Sequence, residues 1–235
     1  MKLISFLRRG QKASPEQLMR QAWDERAREN ARYYVATNDW ETEEEFDRSG
    51  EGSVDFILSD IGHFCPPHTA VLEIGCGIGR MLKPLAKRFR KVYGVDISAE
   101  MVRQAKERVR SLKNVKVWVN NGRDLKPLRA RKVDLVISFI VFQHIPDPAI
   151  IRSYIADALR VLKPGGLFKF QVWGREDTPE AATEEAEREK TSWFGARFTE
   201  PEIRRITADA GFEILSTYVI HTPEVEYLWV IALKP

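Results

Sequence analysis

The sequence predicts a doubly wound α/β domain: a mostly parallel sheet with helices on both faces and an antiparallel hairpin at its C-terminal end. Three observations carry this. Short apolar runs alternate with helical patterns from Ala70 onward. The run Val133 to Phe139 is nearly unbroken in apolar residues, as a strand buried on both faces of a parallel sheet requires. The last two runs, Phe212 to Ile220 and Val225 to Leu233, are separated only by His221 to Glu224. Parallel neighbours need a crossover of roughly a dozen residues or more, so these two must pair antiparallel. An all-parallel dinucleotide-binding sheet has no such ending.

The elements follow in order. Ser14, Pro15 and Gln17 read as N-cap, first helical residue and capping-box partner, and Leu18, Ala22, Trp23, Ala27, Ala31 and Tyr34 follow at helical spacing. Thr37 to Gly52 is acidic and reads as turn-rich; Val54 to Phe64 reads as a helix ended by Pro66 and Pro67. Ala70 to Gly75 is a strand and Met81 to Phe89 a helix, with Pro84 tolerated in a first turn whose amides have no partner to lose. Lys91 to Asp96 is a strand, Ser98 to Leu112 a helix burying Met101, Val102, Ala105 and Val109, and Val115 to Val119 another strand. Asp147 and Pro148 open a helix carrying Ile151, Tyr154, Ile155, Ala158 and Leu162, which Lys163 to Gly166 stops before a strand from Leu167 to Trp173. Gly174 to Phe198 is a long acidic excursion of the kind that forms lids or insertions. Thr199 and Glu202 then make a capping box for a helix ended by Gly211. The expected organisation is an N-terminal helical cap or lid, residues 1–66, and a main domain, residues 67–235, with a lid-like insertion at 174–198.

With 235 residues, a fold can bury roughly three quarters of its unfolded surface without staples. The 43% hydrophobic and 30% charged content is that of a soluble globular chain, and no run of eighteen apolar residues suggests a membrane. The 37 basic and 34 acidic residues are interspersed, with no basic stripe to prompt a nucleic-acid partner. Two cysteines, Cys65 and Cys76, exclude a disulfide framework; no metal site is expected and a reducing compartment is the default. The opening MKLISFLRRG has only five residues between Lys2 and Arg8, too few for a signal peptide, so a cytoplasmic location is expected.

The stretch VLEIGCGIGR places Gly75, Gly77 and Gly79 directly after the first predicted strand. Such a loop offers free backbone amides and lets a nucleotide-like ligand approach the main chain. The dinucleotide fingerprint GxGxxG requires a third glycine where Arg80 stands, which argues against a pyrophosphate on the helix end. Asp96 ends the second strand about twenty residues on, where a carboxylate accepts from both hydroxyls of an unphosphorylated ribose. Capping the next helix is its other reading, but Ser98 already fits that task.

With these residues the chain, from Ala70 to Leu233, resembles the class I S-adenosylmethionine-dependent methyltransferases. VLEIGCGIGR is similar to their first motif, VYGVDIS to the ribose motif, VDLVISFIVFQHIPD to the fourth motif, and LRVLKPGGLFKF to the segment before the fifth strand. The resemblance implies a Rossmann-like, seven-stranded sheet with the last strand antiparallel, S-adenosyl-L-methionine as cofactor and S-adenosyl-L-homocysteine as product. Glu73 is then expected to orient the methionine end, with Gly75, Cys76, Gly77, Gly79 and Arg80 passing against the cofactor. Asp96 holds the ribose and Ile97 packs on adenine. Asn121 takes the position of the family's adenine acid, with Gly122 and Arg123 beside it; Asp124 is the alternative. Phe139 and Ile140 offer backbone oxygen to the cofactor amino group, and Phe142, Gln143 and His144 face the acceptor.

Methyl transfer is an in-line displacement that needs alignment and exclusion of water rather than a metal or covalent nucleophile. His144 is the candidate base, or else a group that only positions substrate. Trp23, Tyr33, Tyr34 and Trp40 wall off the sulfonium or simply pack helices; Trp193, Phe194 and Arg197 form a substrate lid or a surface insertion. SFIVFQHIPD lacks the proline-rich aromatic motif of DNA amino-methyltransferases. The expectation is transfer to an oxygen or nitrogen of a small molecule, with Tyr33, Tyr34, Phe142, Gln143 and Trp193 as substrate contacts. A non-catalytic cofactor-binding protein with a regulatory role is the second reading. A nucleotide-dependent oxidoreductase is the third, and Arg80 and the hairpin oppose it.

Overall fold

The computed structural model describes residues 13–38, 40–223 and 225–235; the stretch Met1 to Gly10, read above for a signal peptide, lies outside them. Among these residues eight strands form one sheet: β1 (Ala70–Ile74), β2 (Lys91–Asp96), β3 (Val115–Val119), β4 (Val133–Ser138), β5 (Leu162–Gly174), β6 (Arg197–Phe198), β7 (Glu213–His221) and β8 (Glu226–Leu233). Their order is β3-β2-β1-β4-β5-β8-β7, with the two-residue β6 paired to the end of β5 off this path. β8 runs antiparallel to both β5 and β7. The main path thus has the expected seven strands and closing hairpin. The order reverses between β1 and β4, and at such a switch point the strand ends open a crevice for ligands.

Among the described residues seven helices cover the sheet: α1 (Pro15–Ala36), α2 (Glu43–Leu58), α3 (Leu82–Arg88), α4 (Ala99–Arg108), α5 (Pro148–Val161), α6 (Pro179–Glu187) and α7 (Glu200–Asp209). Alternation along the strands divides the core into two layers. Leu72, Ile74, Val136, Phe168 and Phe170 pack under α5 and α7, while Val71, Val92, Leu135, Ile137 and Trp229 pack under α2, α3 and α4. Each such side chain contributes about 1.5–3 kcal/mol on leaving water. Among the described residues no helix is long and apolar enough to cross a membrane.

The structure departs from the sequence reading in four places. The acidic stretch read as turns is the first half of α2, capped by a reciprocal Thr42/Glu45 box. One of its two glycines is a packing device: a Cβ at Gly50 would lie 2.3 Å from the Arg80 carbonyl oxygen, so only glycine there lets α2 rest on the glycine loop. Residues 62–64 form a separate 3-10 turn rather than continuing that helix. Third, Lys163 to Gly166 extend β5, with Gly165 N–H donating to the Lys234 carbonyl and Lys234 N–H to that of Gly166. Finally, the 174–198 excursion contains α6 and β6, and its end is tied down by Gly195 N–H to the Gln143 carbonyl and Ala196 N–H to that of Ile145.

The N-terminal helices bind tightly to the sheet layer. Asp24 of α1 accepts from Ser98 Oγ at 2.6 Å and from Glu100 N at 3.1 Å, capping α4 from another helix. Asp47 of α2 pairs with Lys83 at 2.7 Å and Arg108 at 2.6 Å. Lys169, wholly buried on β5, donates to Asp60 at 2.6 Å and the Ile57 carbonyl at 3.0 Å, with its ammonium over Phe56, Tyr218 and Trp229. Its removal leaves the Ile57 carbonyl without its donor and an aromatic cage without a cation.

Candidate active site

A cleft of about 830 Å³ opens at the carboxyl ends of β1, β2 and β4. Its floor is the loop after β1. Gly75, Gly77 and Gly79 all have positive φ, at 71°, 50° and 84°, where a side chain is strained. Gly75 N–H and Cys76 N–H both donate to the Val95 carbonyl, fixing the loop against β2. A Cβ at Gly75 would meet Val141 Cγ2 at 2.3 Å, and one at Gly77 would meet Val35 Cγ2 at 2.7 Å. Gly79 instead faces Leu82, Ala105 and Val109 at 3.4–3.6 Å. It serves helix packing and does not line the cleft.

Two carboxyls flank this floor. Glu73 is buried and its Oε2 has no partner among the described residues; burial pushes its pKa up to about 8, with Arg80 opposing and Asp96 adding to the rise. Asp96 accepts from Gly77 N–H at 2.9 Å on one oxygen and Ser98 N–H at 2.8 Å on the other. Burial lifts it to about 6 despite those bonds. Each oxygen keeps a lone pair for a further donor. Arg80 lines the cleft but spends its Nη1 on Ser49 O at 3.0 Å and Ser53 Oγ at 2.8 Å, so it clamps α2 to the loop.

At the β3 end, the residue that lines the cleft is Asn120, not Asn121. Asn120 donates to Tyr154 Oη at 2.8 Å and accepts from Gly122 N–H at 3.2 Å. Asn121 is exposed because its side-chain oxygen accepts the amides of Arg123 and Asp124, both at 2.9 Å, in a local turn. Arg123 pairs with Glu16, and Asp124 with Asn121 and Lys126, so all three point away. Gly122 remains in the cleft, at φ 82°, where a Cβ would sit 2.3 Å from Ile97 Cδ1. Ile97 lines the cleft beside it.

Past β4, Phe139, Ile140 and Val141 line the opposite wall. Ile140 has φ 56°, a left-handed backbone that a β-branched residue rarely adopts and that clusters at functional sites. Phe142–His144 then forms a 3-10 turn, whose successive side chains point about a third of a circle apart. Only His144 of the three faces the cleft. Phe142 is fully buried against Tyr154, Phe168 and Phe170, and Gln143 Oε1 accepts from Gln171 Nε2 at 2.7 Å.

His144 Nδ1 lies 2.8 Å from the Trp193 carbonyl oxygen. A carbonyl only accepts, so Nδ1 carries the hydrogen and Nε2 is left with a bare lone pair. Burial pushes this imidazole down to about 4, so it is neutral at pH 7. Trp23, edge-on at 5.4 Å, and Trp193, at 5.0 Å, enclose it. Trp23 and Tyr34 line the cleft; Tyr33 is exposed beside Tyr34, and Trp40 packs on Phe46 instead. Trp193 contributes its carbonyl and its ring contact with Tyr34 rather than cleft wall. Phe194 stacks on Trp173, and Arg197 lies over the same ring. Sequence reasoning missed Met19, Met101, Val141, Ile145 and Tyr154 as cleft residues. Met101 and Tyr154 read as helix-core positions, and nothing in a helical stripe shows that one end of it meets a cavity.

Residues 71–166 match a family model described as a methyltransferase domain. Malonyl-[acyl-carrier protein] O-methyltransferase of Geobacter sulfurreducens is 32% identical over 168 residues, covering 67% of this chain and 60% of that protein. 2-Methyl-6-phytyl-1,4-hydroquinone methyltransferase of Synechocystis is 34% identical over 113 residues, covering 48% of this chain and 34% of that protein. The chain thus spans less than two thirds of either relative. The crystal structure of magnesium protoporphyrin IX methyltransferase from Synechocystis PCC 6803 with bound SAH aligns with a TM-score of 0.68 at 20% identity, over 94% of this chain and 100% of that one. At that identity it shows the fold.

Proposed function

We propose that this chain, which carries a class I S-adenosylmethionine-dependent methyltransferase domain, transfers a methyl group from that cofactor to an oxygen or nitrogen of a small-molecule acceptor. The observation that carries this reading is Glu73: a buried carboxylate oxygen without a partner, beside a glycine floor, fits a cationic α-ammonium group. Asp96, with two lone pairs left at the end of β2, fits the hydroxyls of a ribose. Ile97, packed on Gly122, offers an apolar surface for adenine, with Asn120 rather than Asn121 nearest its edge. The SAH bound by the protoporphyrin methyltransferase of the same fold supports this choice of ligand.

S-adenosylmethionine, when bound, supplies a methyl group activated by its sulfonium. The chain's own residues then align and dry the site. Glu73 and Asp96 fix the two ends of the cofactor, and Trp23 and Tyr34 close the cleft toward α1 and exclude water. His144 Nε2 accepts a hydrogen bond from the acceptor's O–H or N–H and takes its proton as the new bond to carbon forms. An imidazole held near 4 is a weak base at rest, which spares the site a charged histidine beside a sulfonium. Its burial under Trp23 and Trp193 leaves room for a compact acceptor rather than a nucleic acid. Both cysteines are buried and unpaired, which suits a reducing cytoplasm.

The test is a screen of hydroxyl, carboxyl and amine acceptors for acceptor-dependent formation of S-adenosylhomocysteine, in the parent and in His144→Ala. The reading expects turnover that the variant loses while cofactor affinity persists. Equal rates in the two proteins would remove the base.

A further inference from the structure

A second concavity, of about 660 Å³, lies between the N-terminal ends of α5 and α7, α6, and the ends of β5 and β6. Five cations line it, Arg152, Arg175, Lys190, Arg197 and Arg205, against two carboxylates, Glu185 and Glu202. Both carboxylates are already engaged. Glu202 accepts from Arg175 at 2.7 Å and from Thr199 N–H at 2.9 Å, while Glu185 is shared by Arg188 at 3.0 Å and Lys190 at 3.4 Å. Among the described residues the one ion-pair partner of Arg197 is Glu184 at 4.0 Å, whose side chain is 71% exposed. Arg152 and Arg205 are exposed and have no ion pair among the described residues. Arg175 Nε is buried without a partner. A concavity that gathers like charges and leaves a buried N–H unmet is built for an anion.

Residues 193–197 run from one site toward the other: Trp193 gives its carbonyl to His144, and Arg197 lines the concavity. Arg197 lies over the Trp173 ring at 6.0 Å, and that ring lies 6.3 Å from His144. The two sites are therefore back to back, one aromatic ring apart.

We propose that this concavity is an anion-binding site, separate from the cleft, that grips a phosphate or carboxylate ligand through guanidinium forks from Arg152, Arg197 and Arg205. Anion binding here does not rest on the methyl-transfer reading. The probes are inorganic pyrophosphate and citrate, titrated by calorimetry at low salt into the full chain and into the double variant Arg152→Gln/Arg205→Gln. Both substituted side chains are exposed, so the fold is retained, and unchanged S-adenosylhomocysteine affinity checks it. The expected result is saturable binding of at least one probe that weakens at least tenfold in the variant and with added salt. No saturable binding in the parent, or equal affinity in the variant, overturns the site. Failure of S-adenosylhomocysteine to bind would instead overturn the methyl-transfer reading and leave pyrophosphate or citrate binding as found.

Discussion

Replacing Glu73 with glutamine tests the electrostatics of the cofactor cleft in a window where few other groups interfere. The Glu73 carboxyl has an ordinary value of 4.5 and sits at about 8 in the folded protein, because burial disfavours its charged form. Between those values the folded state holds a proton that the unfolded state has released. Stability is therefore greatest below pH 4.5 and is lost as pH rises through 8. Asp96, raised from 3.8 to about 6, and His144, lowered from 6.5 to about 4, finish titrating near or below pH 6.5. From pH 6.5 to 8, then, Glu73 dominates and should remove about 1.5 kcal/mol of stability, since one pKa unit is worth about 1.4 kcal/mol. For a chain of this size that is a fall in Tm of about 3–6 °C. Ligand-free protein melted at pH 6.5 and pH 8 gives the measurement, with Glu73→Gln as comparison. The amide carries no charge at any pH, so the variant should be flat across the window. Saturating S-adenosylhomocysteine should flatten the parent too, because a bound ammonium lets the carboxylate ionise. Equal slopes in ligand-free parent and variant would refute the buried, unpartnered carboxyl.

Three further outcomes are expected. His144→Ala should lower kcat by about 100-fold or more while S-adenosylhomocysteine affinity stays within twofold, as befits a group acting on the acceptor's proton. Because burial holds His144 near 4, its acid limb should appear only as pH falls toward that value, once loss of the cofactor carboxylates is corrected for by saturation; a limb near 6.5 would contradict its burial. Gly77→Ala places a methyl group 2.7 Å from Val35 at a φ of 50°, and should cost about 1–2 kcal/mol of stability along with cofactor affinity, read by urea unfolding and calorimetry.

The parts of the fold that were legible in the sequence are those fixed by local rules. The hairpin followed from a connection too short for a crossover, and the placement of Asp96 against the glycine loop followed from its distance beyond that loop. α2 was misread because glycines within it looked like turn signals, whereas Gly50 is glycine for contact with Arg80, 30 residues away in sequence. The Asn120/Asn121 choice turned on which of two adjacent amides capped a local turn and which met Tyr154 across the domain. Only tertiary placement decides that. Phe142 and Gln143 share a motif with His144, but the pitch of a 3-10 turn sends them to the core and lets one side chain of the three reach the cleft. The tautomer of His144 depends on Trp193, on a segment 49 residues later whose order comes from β6 and its bonds to Gln143 and Ile145.

The central claim is that Asp96 and Glu73 frame a site for S-adenosylmethionine rather than a dinucleotide. Calorimetric titration of S-adenosylhomocysteine and NAD into the parent and Asp96→Ala tests it most directly. The account predicts micromolar binding of S-adenosylhomocysteine and none of NAD. In Asp96→Ala the affinity should fall about tenfold to a hundredfold, from the loss of at least one charge-assisted ribose bond worth about 1.5–3 kcal/mol. Binding of NAD in its place, or an affinity for S-adenosylhomocysteine unmoved by the loss of Asp96, would contradict it.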